Sequence, residues 1–335
     1  MTTTMNKPSV LVTGGAGYIG SHAVLALKDA GWRVAVIDDL SNGNRSVVPD
    51  GVPFFQGSIA ERVLVDSIID ELGIGAIMHF AGSIVVPESV EKPLKYYANN
   101  TLASHSLISA AVDAGVEHIL FSSTAAVYGA PERVPILEDD PKLPINPYGA
   151  SKLMTERMLA DASAACPFNY GALRYFNVAG ADPEGRAGQI GKGSTHLIKV
   201  AVEAALGKRD HVAVYGDDYP TNDGTCIRDY IHVSDLAAAH VAALDWLTRH
   251  KGENLVINCG YGQGLSVLEV LDAVDRANGT PVKRVIESRR AGDPPALVAA
   301  NERLLGALDW RPAYADIDKI VSDALAWEKK LLAGA

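Results

Sequence analysis

Tyr148 and Lys152 stand four residues apart in the run Asn146-Pro147-Tyr148-Gly149-Ala150-Ser151-Lys152, which reads as the opening turns of a helix. That spacing puts both side chains on one helical face, where an ammonium can lie beside a phenol. A free phenol has a pKa of about 10 and is protonated at neutral pH. One cation about 6 Å away, at an effective dielectric of about 20, favours the phenolate by roughly 2 to 3 kcal/mol, or about two pKa units. Lys152 together with a second positive charge would bring Tyr148 close to working pH as a proton acceptor. The pair alone has another reading, because tyrosine and lysine fall four apart in many purely structural helices. Its meaning rests on the elements around it.

Those elements alternate. Val10–Thr13, Val34–Ile37, Phe54–Gln56, Ala76–Phe80, Ile119–Ser122 and Ala172–Tyr175 read as strands, several without the polar alternation of a half-exposed sheet. Tyr18–Ala30, Ala60–Leu72, Leu94–Ala114 and Tyr148–Ala164 read as the intervening helices. The pattern predicts an α/β fold, a doubly wound parallel sheet of the Rossmann type with ligands at the carboxyl ends of its strands. Past Asn177 the rhythm breaks into a Gly-rich polar loop, Ala179–Ser194, which opens a smaller mixed α/β lobe. The division expected is 1–177 and 178–335, with part of 227–262 packing back on the first lobe.

Length and composition set outer bounds. A chain of 335 residues is comfortable for two abutting lobes. A net charge of -10 argues against a general nucleic-acid binder, which needs a basic surface. Cys166, Cys226 and Cys259 are too scattered for a thiol metal site or a disulfide framework, and fit a reducing cytoplasm. His22, His79 and His232 are likewise dispersed, and no metal site is expected. Met1–Pro8 lacks the apolar stretch of a signal peptide, and no apolar run reaches membrane-spanning length, so no membrane partner is expected. Gly191-Lys192 looks like the end of a P-loop, but Arg186 and Gly193 stand where that motif needs Gly and Ser or Thr. No Gly-x-Ser-x-Gly elbow of a serine hydrolase occurs.

Directly after the first strand, Thr13-Gly14-Gly15-Ala16-Gly17-Tyr18-Ile19-Gly20 places glycines at 14, 17 and 20 before a helix. Glycines there permit a tight turn and close backbone approach to a pyrophosphate, which the helix amino terminus attracts. Asp38, at the end of the second strand, can accept from both ribose hydroxyls and would repel a 2′-phosphate, favouring NAD over NADP. The alternative for Asp38 is a solvated turn carboxylate beside Asp39.

Taken together, Gly14–His22, Phe121–Gly129, Pro147–Lys152, Arg174–Asn177 and Arg228–Val233 resemble signatures of the extended short-chain dehydrogenase/reductase family, over nearly the whole chain. The resemblance implies a tightly held NAD, resting as NAD+, and inversion at C4 of a UDP sugar through a transient 4-keto sugar. UDP-galactose and UDP-glucose are the pair expected. Thr124, Tyr148 and Lys152 would form the catalytic set. Cofactor contacts would come from Gly14, Gly17, Tyr18, Ile19 and Gly20, from Asp38, Asp39 and Leu40, and from Ser58 and Ile59. Phe80, Ala81, Gly82, Asn99, Ser122 and Tyr175 would complete them with Tyr148 and Lys152. The UDP sugar would meet Thr124, Asn177, His196, Leu197, Val214, Tyr215, Arg228, Arg290, Asp293 and Leu297. Arg228 and Arg290 suit phosphate, since guanidinium donates paired hydrogen bonds; an ion pair with a nearby aspartate is the other reading. Relatives pair through the helices matching Leu94–Ala114 and Tyr148–Ala164, so a homodimer is expected.

Departures from the family pattern refine this. Ala125 and Ala126 stand where dehydrating relatives carry an acidic pair and decarboxylating ones a glutamate, so neither reaction is expected. Ser58 replaces an aspartate at the adenine, Ile84 a lysine near the cofactor, and His196 an asparagine facing the substrate. Leu297 falls where side-chain size limits room at the sugar C2, which leaves UDP-N-acetylglucosamine possible beside UDP-xylose and UDP-glucuronate as alternative substrates. Two further alternatives are a dehydrogenase exchanging free NADH and a non-catalytic NAD sensor.

Overall fold

A computed structural model describes residues 7–191, 194–290 and 293–334. The expectations placed on Met1–Asn6 and on Lys192 and Gly193 lie outside them. The strands are β1 Ser9–Thr13, β2 Val34–Asp38, β3 Phe54–Gln56, β4 Ile74–His79, β5 His118–Thr124, β6 Asn169–Tyr175, β7 Asn177–Ala179, β8 Val212–Tyr215, β9 Ile227–His232, β10 Leu255–Cys259, β11 Gly264–Ser266, β12 Arg284–Glu287 and β13 Ala296–Leu297. The α-helices are α1 Tyr18–Asp29, α2 Arg62–Leu72, α3 Val86–Glu91, α4 Pro93–Tyr96, α5 Ala103–Asp113, α6 Pro147–Ala165, α7 Leu197–Ala205, α8 Val233–Arg249, α9 Val267–Asn278, α10 Glu302–Ala307 and α11 Ile317–Ala333.

Seven strands form one parallel sheet in the order β10-β6-β5-β4-β1-β2-β3. Successive residues of each central strand enter opposite cores, which is why these strands lack polar alternation. Val10, Val12, Met78 and Leu120 pack with Val24 and Leu27 of α1 and Leu236 and Ala243 of α8. Leu11, Ile77, Ile119 and Phe121 pack with Ile68 of α2, Leu107 of α5 and Leu159 of α6 on the other face. Strand order reverses between β1 and β4, opening the crevice in which doubly wound sheets hold ligands.

Residues after β6 form a second body around Ile198, Val202, Val214, Leu271 and Leu325. Of the segment expected to return to the first lobe, β9 pairs with β11, β13 and β7 in a smaller sheet, whereas α8 packs on α1 and β10 closes the large sheet. Strand 227–232 thus does not join the first sheet.

The expected single helix from Leu94 to Ala114 is instead a helical path in three pieces, with a π-helical turn at Tyr97–Leu102 between α4 and α5. Asn100 accounts for the widening. Its carbonyl accepts the hydroxyls of Ser104 and Thr155, while its amide accepts from Ser83 N at 2.7 Å and donates to Ser83 O at 3.0 Å and to Ser151 Oγ at 3.0 Å. Single π turns of this kind recur at functional sites.

Close backbone packing at the first βα turn gives a direct test of this geometry. A Cβ at Gly20 would stand 2.2 Å from the Gly14 carbonyl oxygen. Gly20→Ala is therefore expected to lower unfolding free energy by about 1 to 3 kcal/mol in denaturant titration; unchanged stability would show that the turn is looser than described.

Candidate active site

The crevice begins at the glycine turn. Gly14 adopts φ +69°, and a Cβ there would meet Ala81 N at 2.7 Å, so the loops after β1 and β4 touch through backbone alone. Helix α1 starts at Gly17 with no side-chain cap, leaving first-turn N–H groups of Tyr18, Ile19 and Gly20 directed at the crevice as anion donors. Asp38 closes one side, accepting from Ala16 N at 2.9 Å and Leu40 N at 2.8 Å, and burial raises its carboxyl pKa. It is thus no free turn carboxylate. Leu40 itself sits at φ +59°, a left-handed conformation that costs a side-chain-bearing residue roughly 1 to 2 kcal/mol. Asp39 turns away to Ser41, and the Ser58 hydroxyl accepts from Ala60 N. Tyr18 donates its phenol to Gly180 O at 2.7 Å, tying the turn to the chain leaving β7.

Helix α6 carries the chemistry. Asn146 caps it by accepting from Gly149 N at 2.9 Å, with Pro147 in the first helical position. A Cβ on Gly149 would lie 2.4 Å from Ala126 O, so the helix start rests on the backbone that follows Thr124. That contact brings Tyr148 to the end of β5. The Thr124 hydroxyl near the phenol lowers its pKa, but burial outweighs this and the net shift is upward. Tyr96 packs edge-on against the Tyr148 ring at 6.5 Å.

Lys152 is buried and anchored at the end of β5. Its ammonium donates to Ser122 O at 2.9 Å and lies 4.8 Å from the centre of the Phe121 ring. Burial pushes its pKa down to about 8, with Glu156 opposing the shift. The two side chains share a helical face, and the carbonyl at the end of β5 supplies the ammonium with an acceptor. Ser122 also hydrogen-bonds the Tyr175 phenol, fixing the wall opposite.

At the far end Arg228 donates to Asp293 at 2.9 Å and to the carbonyls of Ile227 and Pro294. Arg228 is thus held by an ion pair at the cavity wall. Arg290 instead stacks on the Tyr215 ring at 3.7 Å, and takes no carboxylate partner among the described residues. His196 is exposed just before α7, whose first residue is Leu197. Asn177 and Leu297 lie on β7 and β13, which flank β9.

One cavity of about 1510 Å³ joins these ends. Every residue expected at the site lines it except Leu40, Lys152 and Val214. Leu40 packs on the core, Lys152 lies beneath the surface, and Val214 points into the second core while Ala213 and Tyr215 face the cavity. Sequence reasoning missed the lining segment Ser41–Gly43 and, apart from Ile84, the segment Ser83–Glu88. The first had a signal: Ser41-Asn42-Gly43-Asn44 is a turn cluster, and Gly43 lets the chain fold back against Asp38. The second, with Val85-Val86-Pro87 at its centre, gave none beyond Ile84. Among the described residues no cluster of His, Cys, Asp or Glu could hold a metal, and no helix is long and apolar enough to cross a membrane.

Residues 10–260 match the model of the NAD dependent epimerase/dehydratase family, and the chain belongs to that family. Within it, the chain is 57% identical to the UDP-glucose 4-epimerase of Azospirillum brasilense, over 98% of this chain and 94% of the relative. UDP-glucose 4-epimerase from Bifidobacterium longum in complex with NAD+ and UDP superposes with a TM-score of 0.92, at 38% identity over 98% and 100% of the two chains. The UDP-Glc/GlcNAc 4-epimerase from Campylobacter jejuni is 44% identical with a TM-score of 0.85, over 96% and 99%.

Buried Lys152 yields a linkage prediction. Below about pH 8 the folded protein bears the cost of an ammonium out of water, and that cost fades as pH rises toward the unfolded value near 10.4. Lys152→Met should raise stability at pH 7 by up to about 3 kcal/mol, with the gain shrinking above pH 8. Denaturant unfolding at neutral and alkaline pH measures it, and equal or lower stability of the variant at neutral pH would contradict it.

Proposed function

We propose that this chain is an NAD-dependent 4-epimerase that interconverts UDP-galactose and UDP-glucose. The observation that carries the reading is the single cavity running from the uncapped start of α1, past Thr124 and Tyr148, to Arg228 and Arg290. Residues 1–177 would hold the dinucleotide and 178–335 the UDP sugar, with α8 and β10 returned to the first lobe. The donor set suits NAD: free N–H groups at Tyr18–Gly20 for pyrophosphate, and Asp38 at the ribose position. Ser58, already bonded to Ala60 N, offers the adenine a weaker contact than a carboxylate.

When bound, NAD supplies a reversible acceptor for the sugar C4 hydride. Tyr148 takes the proton of the 4-hydroxyl and returns it after the 4-keto sugar has turned over. Thr124, at the end of β5 near that phenol, orients the hydroxyl. Burial shifts Tyr148 up, and the positive charge of the oxidised cofactor would add to that of Lys152 in favouring the phenolate. Arg228 and Arg290 hold diphosphate, with Asn177, His196, Leu197, Tyr215 and Asp293 around the nucleotide. Around the sugar the walls are Ala125, Ala126, Phe176 and Leu297, apolar groups that grip it loosely and offer no acid for dehydration.

The apolar wall speaks against UDP-glucuronate, whose carboxylate would lose hydration there without a partner. UDP-N-acetylglucosamine is the second reading, favoured by Leu297 in place of a larger ring and by the dual-specificity relative. A homodimer is also proposed. Leu94, Leu102 and Met154 stay 79%, 66% and 45% exposed on the adjoining faces of the α4–α5 path and α6, and Thr101 touches Met154 there.

Purified protein given UDP-galactose without added NAD should form UDP-glucose, and Tyr148→Phe should slow turnover about 10²- to 10⁴-fold; full activity of the variant would remove Tyr148 as the base. Sedimentation should return twice the 35.4 kDa chain mass, whereas a single-chain mass would rule out the dimer.

A further inference from the structure

Directly beneath the catalytic set, outside the cavity lining, lies a buried ion pair that the mechanism does not use. Arg174 donates from Nε to Glu156 Oε1 at 2.9 Å and from a terminal nitrogen to Oε2 at 2.6 Å, with both side chains about 5% to 7% exposed. Ser123 donates its hydroxyl to the same Glu156 carboxylate. The other Arg174 nitrogen reaches Tyr128 Oη at 2.9 Å and Glu138 O at 3.0 Å, and Tyr128 passes the chain on to Asn258 at 2.6 Å.

The positions of these partners matter more than their number. Ser123 stands between Ser122, whose carbonyl holds Lys152, and Thr124, whose hydroxyl lies near the Tyr148 phenol. Glu156 lies one helical turn after Lys152 on α6, and Arg174 immediately precedes Tyr175, the partner of Ser122. Register sets Ser123 opposite Arg174 across β5 and β6. One carboxylate thus clamps the three elements that carry the reacting groups. Burying two charges costs several kcal/mol per ion, and apolar replacements often do as well for stability, so stability alone is a poor reason for this pair.

We propose that the Glu156–Arg174 pair is a positioning device, in which Glu156 fixes the Thr124 end of β5 against α6 and supplies the negative charge that faces Lys152. The inference rests on the epimerase reading only for its kinetic arm. Of the other groups around Lys152, His79 on β4 is held neutral by burial, with its pKa down at about 3, Tyr148 on α6 is a neutral phenol, and Asn100 bears no charge. Glu156 is the anion that opposes the desolvation of Lys152.

Nitrogen-15 NMR of lysine-labelled full-length protein, with the Lys152 signal assigned by its loss in Lys152→Met, reads that charge without turnover. Glu156→Gln should move the Lys152 midpoint down by about one pH unit, and Glu156→Gln with Arg174→Met, which leaves no unpaired buried cation, should also move it down. Ser123→Ala, which keeps the charges but unties β5, should leave that midpoint in place and lower kcat about tenfold at unchanged KM for UDP-galactose. An unmoved midpoint in the folded Glu156 variants, or wild-type kcat in Ser123→Ala, overturns the proposal. Failure of the unaltered protein to convert UDP-galactose would instead overturn the epimerase reading, with the NMR arm still deciding the role of Glu156.

Discussion

Burial of a phenol and an ammonium in the floor of one cleft is the constraint from which the rest follows. Removal from water opposes the phenolate of Tyr148 and the cation of Lys152 alike, and the pKa of each moves toward its neutral form. Thr124 offsets part of the first shift and Glu156 part of the second. A base made this way is conditional. On the proposed function, the positive charge of an oxidised dinucleotide entering the cleft would favour its ionisation and so link proton removal to the cofactor.

The fold serves that constraint by bringing strand ends together. The glycine turn after β1, the Ala81–Gly82 turn after β4, Thr124 at the end of β5 and Tyr175 at the end of β6 all open on one edge of the parallel sheet. Glycines sit where backbones must touch: Gly14 on Ala81, Gly20 on Gly14, Gly149 on Ala126. Each closes a gap that a methyl group would hold open. The second lobe then roofs the edge from β7, β8 and β13, so that nucleotide and sugar ends belong to one cavity.

Much of this was legible in the sequence because its signals are local. Unbroken apolar strands, Gly14-x-x-Gly17-x-x-Gly20 and the Asn146-Pro147 helix start each encode their own geometry. What stayed hidden depends on distant partners. The π turn at Tyr97–Leu102 comes from Asn100 meeting Ser83 and Ser151, and no periodicity in 94–114 announces it. The turning of Lys152 toward Ser122 O was equally out of reach, since helical spacing fixes a face and leaves the choice of acceptor to tertiary packing. Val214 shows the limit from the other side: strand alternation sends it into the core between two cavity-facing neighbours.

The central claim is that Tyr148 becomes a base only when the cofactor's positive charge joins Lys152. Near-ultraviolet titration of phenolate absorbance, taken as the difference between wild type and Tyr148→Phe, isolates this one tyrosine. The account requires a midpoint above the ordinary tyrosine value without dinucleotide and a clearly lower one with NAD+ bound. A midpoint that is the same in both conditions would contradict it.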